Sequence, residues 1–299
     1  MSLRNSRAQL IGIPFALMAL GSWTPVAVMW ARDIPWSGAV GRGVAIWYGF
    51  PALIAVLLMQ APILKQPVIE PLGLSLSINR WWLVAWLLPV VALLVAVFVT
   101  ALAGYEPVLT VDQLIANKRT MVPPEQMADF EQYLADNPPP SPWMLIVLGM
   151  PAGLTFNLLL ALCDEVAFRG YFFREVPGNF WVRATLIGIL WWAWLAPSIA
   201  LGNLYGAPGV VAVAIALPWC VVTSWVLVYL RVRTGSVIAT ALARGTILAL
   251  SAAALDLTFG APYWLRPFYG LAGVAGLAAI WLGFWIHDRT RETGRLTTS

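Results

Sequence analysis

The stretch ALCDEVAFRGYFFRE, residues 161–175, decides how the chain reads. It closes a run of about twenty uncharged, mostly apolar residues, the length that crosses a bilayer as a helix, and then sets Asp164, Glu165 and Arg169 in quick succession. Ionisable groups at membrane depth cost several kcal/mol unless paired or wetted, so they mark either a structural pair or a working site. On a helix Glu165 and Arg169 share a face, with the acid nearer the N-terminus, the favourable order for pairing. Arg169 can also snorkel to the headgroups, and periodicity alone leaves both readings open.

The rest of the chain supplies the setting. Of its 299 residues, 60% are hydrophobic and 11% charged. A soluble domain carries roughly 25% charged residues. Such a chain cannot cover itself with polar surface in water, and the reading is an all-α, polytopic membrane helix bundle. Eight segments are long enough to span: 10–31, 43–64, 81–104, 143–163, 184–202, 209–230, 236–257 and 268–287. Pro14, Pro25, Pro51, Pro151 and Pro218 fall inside them and predict kinks. The first span lacks a small-residue cleavage site and reads as a retained anchor. Many of the 17 tryptophans, among them Trp81, Trp82, Trp143, Trp181 and Trp285, stand near span ends, where interfacial belts form.

Basic residues set the orientation. With eight spans, one side collects Arg4, Arg7, Lys65, Arg80, Arg169, Arg174, Arg183, Arg231, Arg233, Arg289, Arg291 and Arg295, while the other holds Arg32, Arg42, Lys118, Arg119 and Arg266. The positive-inside rule then puts both termini in the cytoplasm of a protein integral to the cytoplasmic membrane. The net charge of +4 reflects topology and anionic headgroups, and no basic patch interleaved with aromatics argues for nucleic acid. Membrane lipid is the partner this composition implies.

The longest connection, 105–142, falls on the other side. Within it PPEQMADFEQYLADN spaces Met127, Phe130 and Leu134 as one helical face, so a short amphipathic helix is expected there, as part of a solvated connector or as a lid over a lateral opening. Cys163 and Cys220 lie in or at the edge of spans without metal-ligand neighbours and read as small buried side chains. The one histidine, His287, closes the last span beside Asp288 and Arg289 and reads as an interfacial residue. No metal site and no other cofactor is predicted.

ALCDEVAFRGY resembles the first motif of the CAAX prenyl protease and bacteriocin-processing (CPBP) family of intramembrane endopeptidases: two adjacent glutamates, then arginine after three residues, then glycine and an aromatic. LWWAWLAPSIALGNLYGAPG at 190–209 is similar to the second motif, with Trp194 and Pro197 in place. RTGSVIATALARGTIL at 233–248 resembles the third, with Gly235, Ser236 and Gly245 in place. The resemblance implies three parts: residues 1–142 as N-terminal spans and the non-cytoplasmic loop, 143–255 as a CPBP-like core, and 256–299 as the last span and a cytoplasmic tail. It also implies a glutamate and a histidine around a water as general base, a second histidine and an asparagine at the oxyanion, and in some accounts a metal.

This chain departs from that pattern where the chemistry sits. Asp164 replaces the first glutamate, Leu195 the first histidine, Arg244 the second, and Leu248 the asparagine. Leucine neither accepts a proton nor binds a metal, and a guanidinium is no base at neutral pH. What remains of the catalytic set is Asp164, Glu165 and Arg169. Arg244, inside a span, is expected to find an acid, with Glu165 or Asp164 nearest. Three readings follow: a pseudoprotease binding a transmembrane or lipidated peptide, an endopeptidase running on an Asp164–Glu165 acid dyad, and a transporter lined by these charges.

Overall fold

The computed structural model describes residues 6–291. The described residues are built from helices: α1 (Arg7–Ala31), α2 (Ala39–Trp47), α3 (Phe50–Leu58), α4 (Arg80–Leu102), α5 (Val111–Arg119), α6 (Met127–Asp136), α7 (Pro142–Leu154), α8 (Phe156–Glu165), α9 (Phe173–Glu175), α10 (Phe180–Ala200), α11 (Val210–Thr234), α12 (Val237–Asp256) and α13 (Leu271–Thr290). Seven of these stretches are long and apolar enough to cross a membrane, and eight if the bent pair Pro142–Leu154 and Phe156–Glu175 is one span. The chain is thus an integral membrane helix bundle. Of the basic residues that set the expected orientation, Arg4 and Arg295 lie outside the described residues.

Helix starts follow local chemistry. Asn79, Asn179 and Ser141 accept hydrogen bonds from Trp81, Val182 and Met144 backbone N–H groups and so cap α4, α10 and α7. Between α11 and α12 the chain turns through Gly235 at φ 69°, a left-handed conformation that favours glycine, and Ser236 then caps α12 through Ile238 N–H.

The fourth expected span differs most from its reading. It bends by 57° at Thr155, four residues after Pro151. Thr155 Oγ1 donates to the carbonyls of Pro151 and Ala152 at 3.2 and 3.4 Å, and Asn157 Nδ2 donates to Ala152 at 3.3 Å. The Ala152 carbonyl also takes the Thr155 backbone N–H at 3.3 Å, so three donors gather on it at the break. Beyond the bend the helix continues past residue 163 through a wide π-helical turn, Val166–Phe172, which contains Arg169. Such turns gather at functional sites because the extra residue re-aims side chains.

Around this bent element α12 packs along α7, α8 and α4, α10 along α11, and α13 along α4 and α11. α12 is the central helix, buried over most of its length from Val237 to Ile247. Glycine permits its closest approach: a Cβ on Gly245 would lie 2.8 Å from the Asn157 carbonyl and Leu158 nitrogen.

The long connection contains two helices where one was expected. α6 presents Met127, Phe130 and Leu134 as its half-buried face, and no α6 residue is buried. The additional helix, α5, carries a capping box between Thr110 and Gln113, a signal present in the sequence. Its Leu114 and Asn117 are fully buried, Lys118 pairs with Asp256 at 2.7 Å, and Val108 N–H bonds Leu257, so this segment clamps the end of α12. Arg119 bridges to Glu131 and, through that hydrogen bond, holds the Glu131 carboxyl below its ordinary range. The pair is exposed and orients α6 without adding much to stability.

Candidate functional site

α8, α10 and α12 bring the three motif segments to one cavity. Its inner chamber, about 210 Å³, is lined by Asn157, Leu160 and Asp164 of α8, by Trp194 and Leu195 of α10, and by Arg244 and Leu248 of α12. The spacing explains the grouping. Positions 157, 160 and 164 recur on one helical face, as do 244 and 248. Tyr48 closes one wall, its hydroxyl donating to the Trp194 carbonyl at 2.6 Å. Trp194 is fixed in turn, its Nε1 donating to Ser22 Oγ at 3.0 Å.

The chamber continues into an outer one of about 690 Å³, with Asn157, Asn203, Leu204 and Leu248 common to both. The outer chamber opens among the loops near Trp36, Tyr205 and Tyr263, and carries Arg42 and Arg266. Ala45, Ile46 and Gly49 complete the lining of the inner chamber, with Ile46 exposed and Gly49 packed so close to α8 that a Cβ there would lie 3.1 Å from Cys163 Cβ.

The adjacent carboxylates part ways. Asp164 faces the chamber, with Oδ1 lacking a hydrogen-bond partner. Glu165, one residue and about 100° further round the helix, is sealed at 0% exposure and takes Arg169 Nη1 on its Oε1 at 2.8 Å. Arg169 is itself at 0% exposure and lies 4.5 Å over the Trp191 ring. The four-residue spacing legible in the sequence is therefore the ion pair that forms.

Arg244 differs from its expected role. It makes no ion pair with Glu165 or Asp164, and its Nε and Nη1 are buried without hydrogen-bond partners. Its guanidinium sits 5.1 Å from the Trp191 ring and 5.7 Å from that of Trp219. Arg169 is the nearer partner for Glu165 because the helix itself fixes their separation. Trp191 thus carries two cations, one committed to Glu165 and one open to the chamber.

Leu195 and Leu248 present hydrocarbon at the positions where the resemblance places histidine and asparagine. The donor set does not fit a metal: among the described residues no group of three histidine, cysteine or acidic side chains is close enough to share an ion. His287 lies elsewhere, against Trp81 at 5.3 Å and with its Nδ1 3.0 Å from Arg233 Nη2. Cys163 and Cys220 are buried free thiols. Sequence reasoning missed Asn157, Tyr48 and Asn203. Asn157 had a signal, a polar residue inside an apolar span two turns before Asp164. Tyr48 and Asn203 had none, since only tertiary packing brings them here.

Fold and site together define a polytopic helical membrane protein with an open cavity walled by one carboxylate, one guanidinium and aromatic faces. Residues 142–250, roughly a third of the chain, match the family model described as type II CAAX prenyl endopeptidase Rce1-like; the chain carries an Rce1-like domain over that span. No curated protein matches the chain.

Proposed function

We propose that the protein is a pseudoprotease, a membrane receptor that holds a transmembrane or lipidated peptide at its cavity without cutting it. The observation that carries this reading is the chamber lining: Leu195, Arg244 and Leu248 stand where a proteolytic site of this kind needs a base and oxyanion donors. Asp164 remains to face a ligand, but nothing beside it accepts a proton in relay, and Glu165 is held by Arg169. The cavity's continuation past Asn203, Leu204 and Leu248 into the larger chamber gives a peptide its way in.

The acid-dyad reading has one observation in its favour, the unpartnered Asp164 Oδ1 in the chamber. Against it stands the partition of the two carboxylates, since Glu165 Oε2 is also unpartnered and no hydrogen bond joins it to Asp164 Oδ1. A shared proton needs those oxygens in contact.

The purified protein, offered prenylated CAAX peptides and transmembrane peptides, is expected to leave them intact at the uncatalysed background. Cleavage that disappears in Asp164→Asn or Glu165→Gln would replace the pseudoprotease with the enzyme.

In this reading both termini face the cytoplasm and the 105–142 segment lies outside. Because both native thiols are buried, cysteines introduced as Asp129→Cys and Arg295→Cys give clean labels. Membrane-impermeant maleimide should reach position 129 only from outside intact cells and position 295 only after the membrane is opened. The reverse pattern would invert the map.

A further inference from the structure

The inner chamber holds two buried groups of opposite charge that form no ion pair with each other. Asp164 is 7% exposed and Arg244 4%, and both line the chamber. Asp164 Oδ1 and Arg244 Nε and Nη1 have no partner. The indole faces of Trp191 and Trp219 hold the guanidinium in place while leaving its N–H edge free. Buried polar atoms left unsatisfied cost free energy, so the arrangement is completed by something that enters.

The chamber selects what that is. A transmembrane helix, about 10–12 Å across with its side chains, does not fit inside a space of about 210 Å³ and is held only across its mouth. A lone anion would meet Asp164 and a lone cation would meet Arg244. A small zwitterion satisfies both, its anionic group on Arg244 and an N–H-bearing ammonium on Asp164. Arg42 and Arg266 line the outer chamber and add positive potential along the approach, which favours a phosphate or carboxylate as the negative part.

We infer that the inner chamber is a binding site for a primary-ammonium zwitterion, the phosphoethanolamine headgroup of an aminophospholipid being the form that suits a bilayer protein. The outer chamber, which shares Asn157, Asn203, Leu204 and Leu248 with the inner one and carries Arg42 and Arg266, gives the headgroup its way in. Choline headgroups lack the N–H that Asp164 accepts, and glycerol headgroups lack the cation. This site goes beyond the peptide reading and does not depend on it.

The test titrates full-length protein in detergent with short-chain phosphatidylethanolamine, phosphatidylcholine and phosphatidylglycerol, and with soluble phosphoethanolamine. Tryptophan fluorescence reads the binding, since Trp191, Trp194 and Trp219 surround the site. Phosphatidylethanolamine is expected to bind about tenfold tighter than the other two lipids, the worth of one charge-assisted hydrogen bond. Asp164→Asn, which preserves shape, should erase the preference over phosphatidylcholine, and Arg244→Gln should weaken phosphatidylethanolamine binding by about tenfold.

Soluble phosphoethanolamine binding as tightly as the lipid supports the site and assigns it a water-borne ligand. Binding of the lipid alone supports the site with a membrane source. Equal binding of all three lipids, or a preference that survives Asp164→Asn, would overturn the inference and leave a water-bridged pair. Peptide cleavage in the same preparation would overturn the pseudoprotease reading while leaving this one standing.

Discussion

Replacing Arg169 with methionine is expected to destabilise the protein by about 3–5 kcal/mol, because it strands Glu165 in a place water does not reach. Both partners are at 0% exposure, and the 2.8 Å contact between Arg169 Nη1 and Glu165 Oε1 is the only ion pair either makes among the described residues. The variant also loses the guanidinium over Trp191. Glu165→Gln alone should cost less, since an amide is easier to bury than a carboxylate, though it leaves Arg169 without its counter-charge. Combining the two removes both charges, and most of the loss should return. Unfolding of the four proteins in one detergent gives the coupling. Additivity to within about 0.5 kcal/mol would mean that the pair contributes nothing as a pair. The same cycle run with Arg244→Leu and Glu165→Gln is expected to show a smaller coupling, since no ion pair joins those residues although both are linked through Arg169 and Trp191.

The second large effect concerns how closely α12 approaches α8. Gly245→Ala places a Cβ 2.8 Å from the Asn157 carbonyl carbon and oxygen and the Leu158 nitrogen. All three are backbone atoms, so no side chain can swing aside, and the two helices must separate. Overpacking of this kind costs about 1–3 kcal/mol and occasionally more; a site walled by backbone belongs at the upper end. Gly43→Ala is the control. Nothing lies within 4 Å of a Cβ there. A helical glycine in open space should gain slightly on replacement by alanine, by up to about 1 kcal/mol. Equal destabilisation by the two substitutions would show that the contact between α8 and α12 does not limit packing.

Most of the spanning architecture is legible in the sequence because a bilayer demands long apolar runs and little else competes with that signal. The convergence of Asp164, Leu195, Arg244 and Leu248 on one cavity came through the motif resemblance, which carries tertiary information that periodicity lacks. The bend at Thr155 was less legible. Pro151 announces a weak ladder, but where the break falls depends on Thr155 and Asn157 bonding back to the Pro151 and Ala152 carbonyls. α5 was overlooked although Thr110 and Gln113 spell its start, because a short polar helix gives no hydropathy signal. That Arg244 stops short of an ion pair with Glu165 or Asp164 has a deeper reason. The distance from Glu165 to Arg169 is set by a single helix, whereas that from Arg244 to any acid depends on how α12 is rotated against α8.

The charge-bearing turn after α8 also constrains how the chain is made. Residues 164–175 bring Asp164, Glu165, Arg169, Arg174 and Glu175 to the end of a bent span, and α12 brings Arg244. A segment leaving the ribosome is sorted into lipid largely on its own hydrophobicity, and each such residue at a helix centre weighs against insertion by about 2.5–3.5 kcal/mol. The Glu165–Arg169 pair forms within one turn and lightens that load before any other helix is present. Arg244 has no such local relief. The indoles of Trp191 and Trp219, on α10 and α11, face its guanidinium, so what offsets that charge comes from helices other than its own.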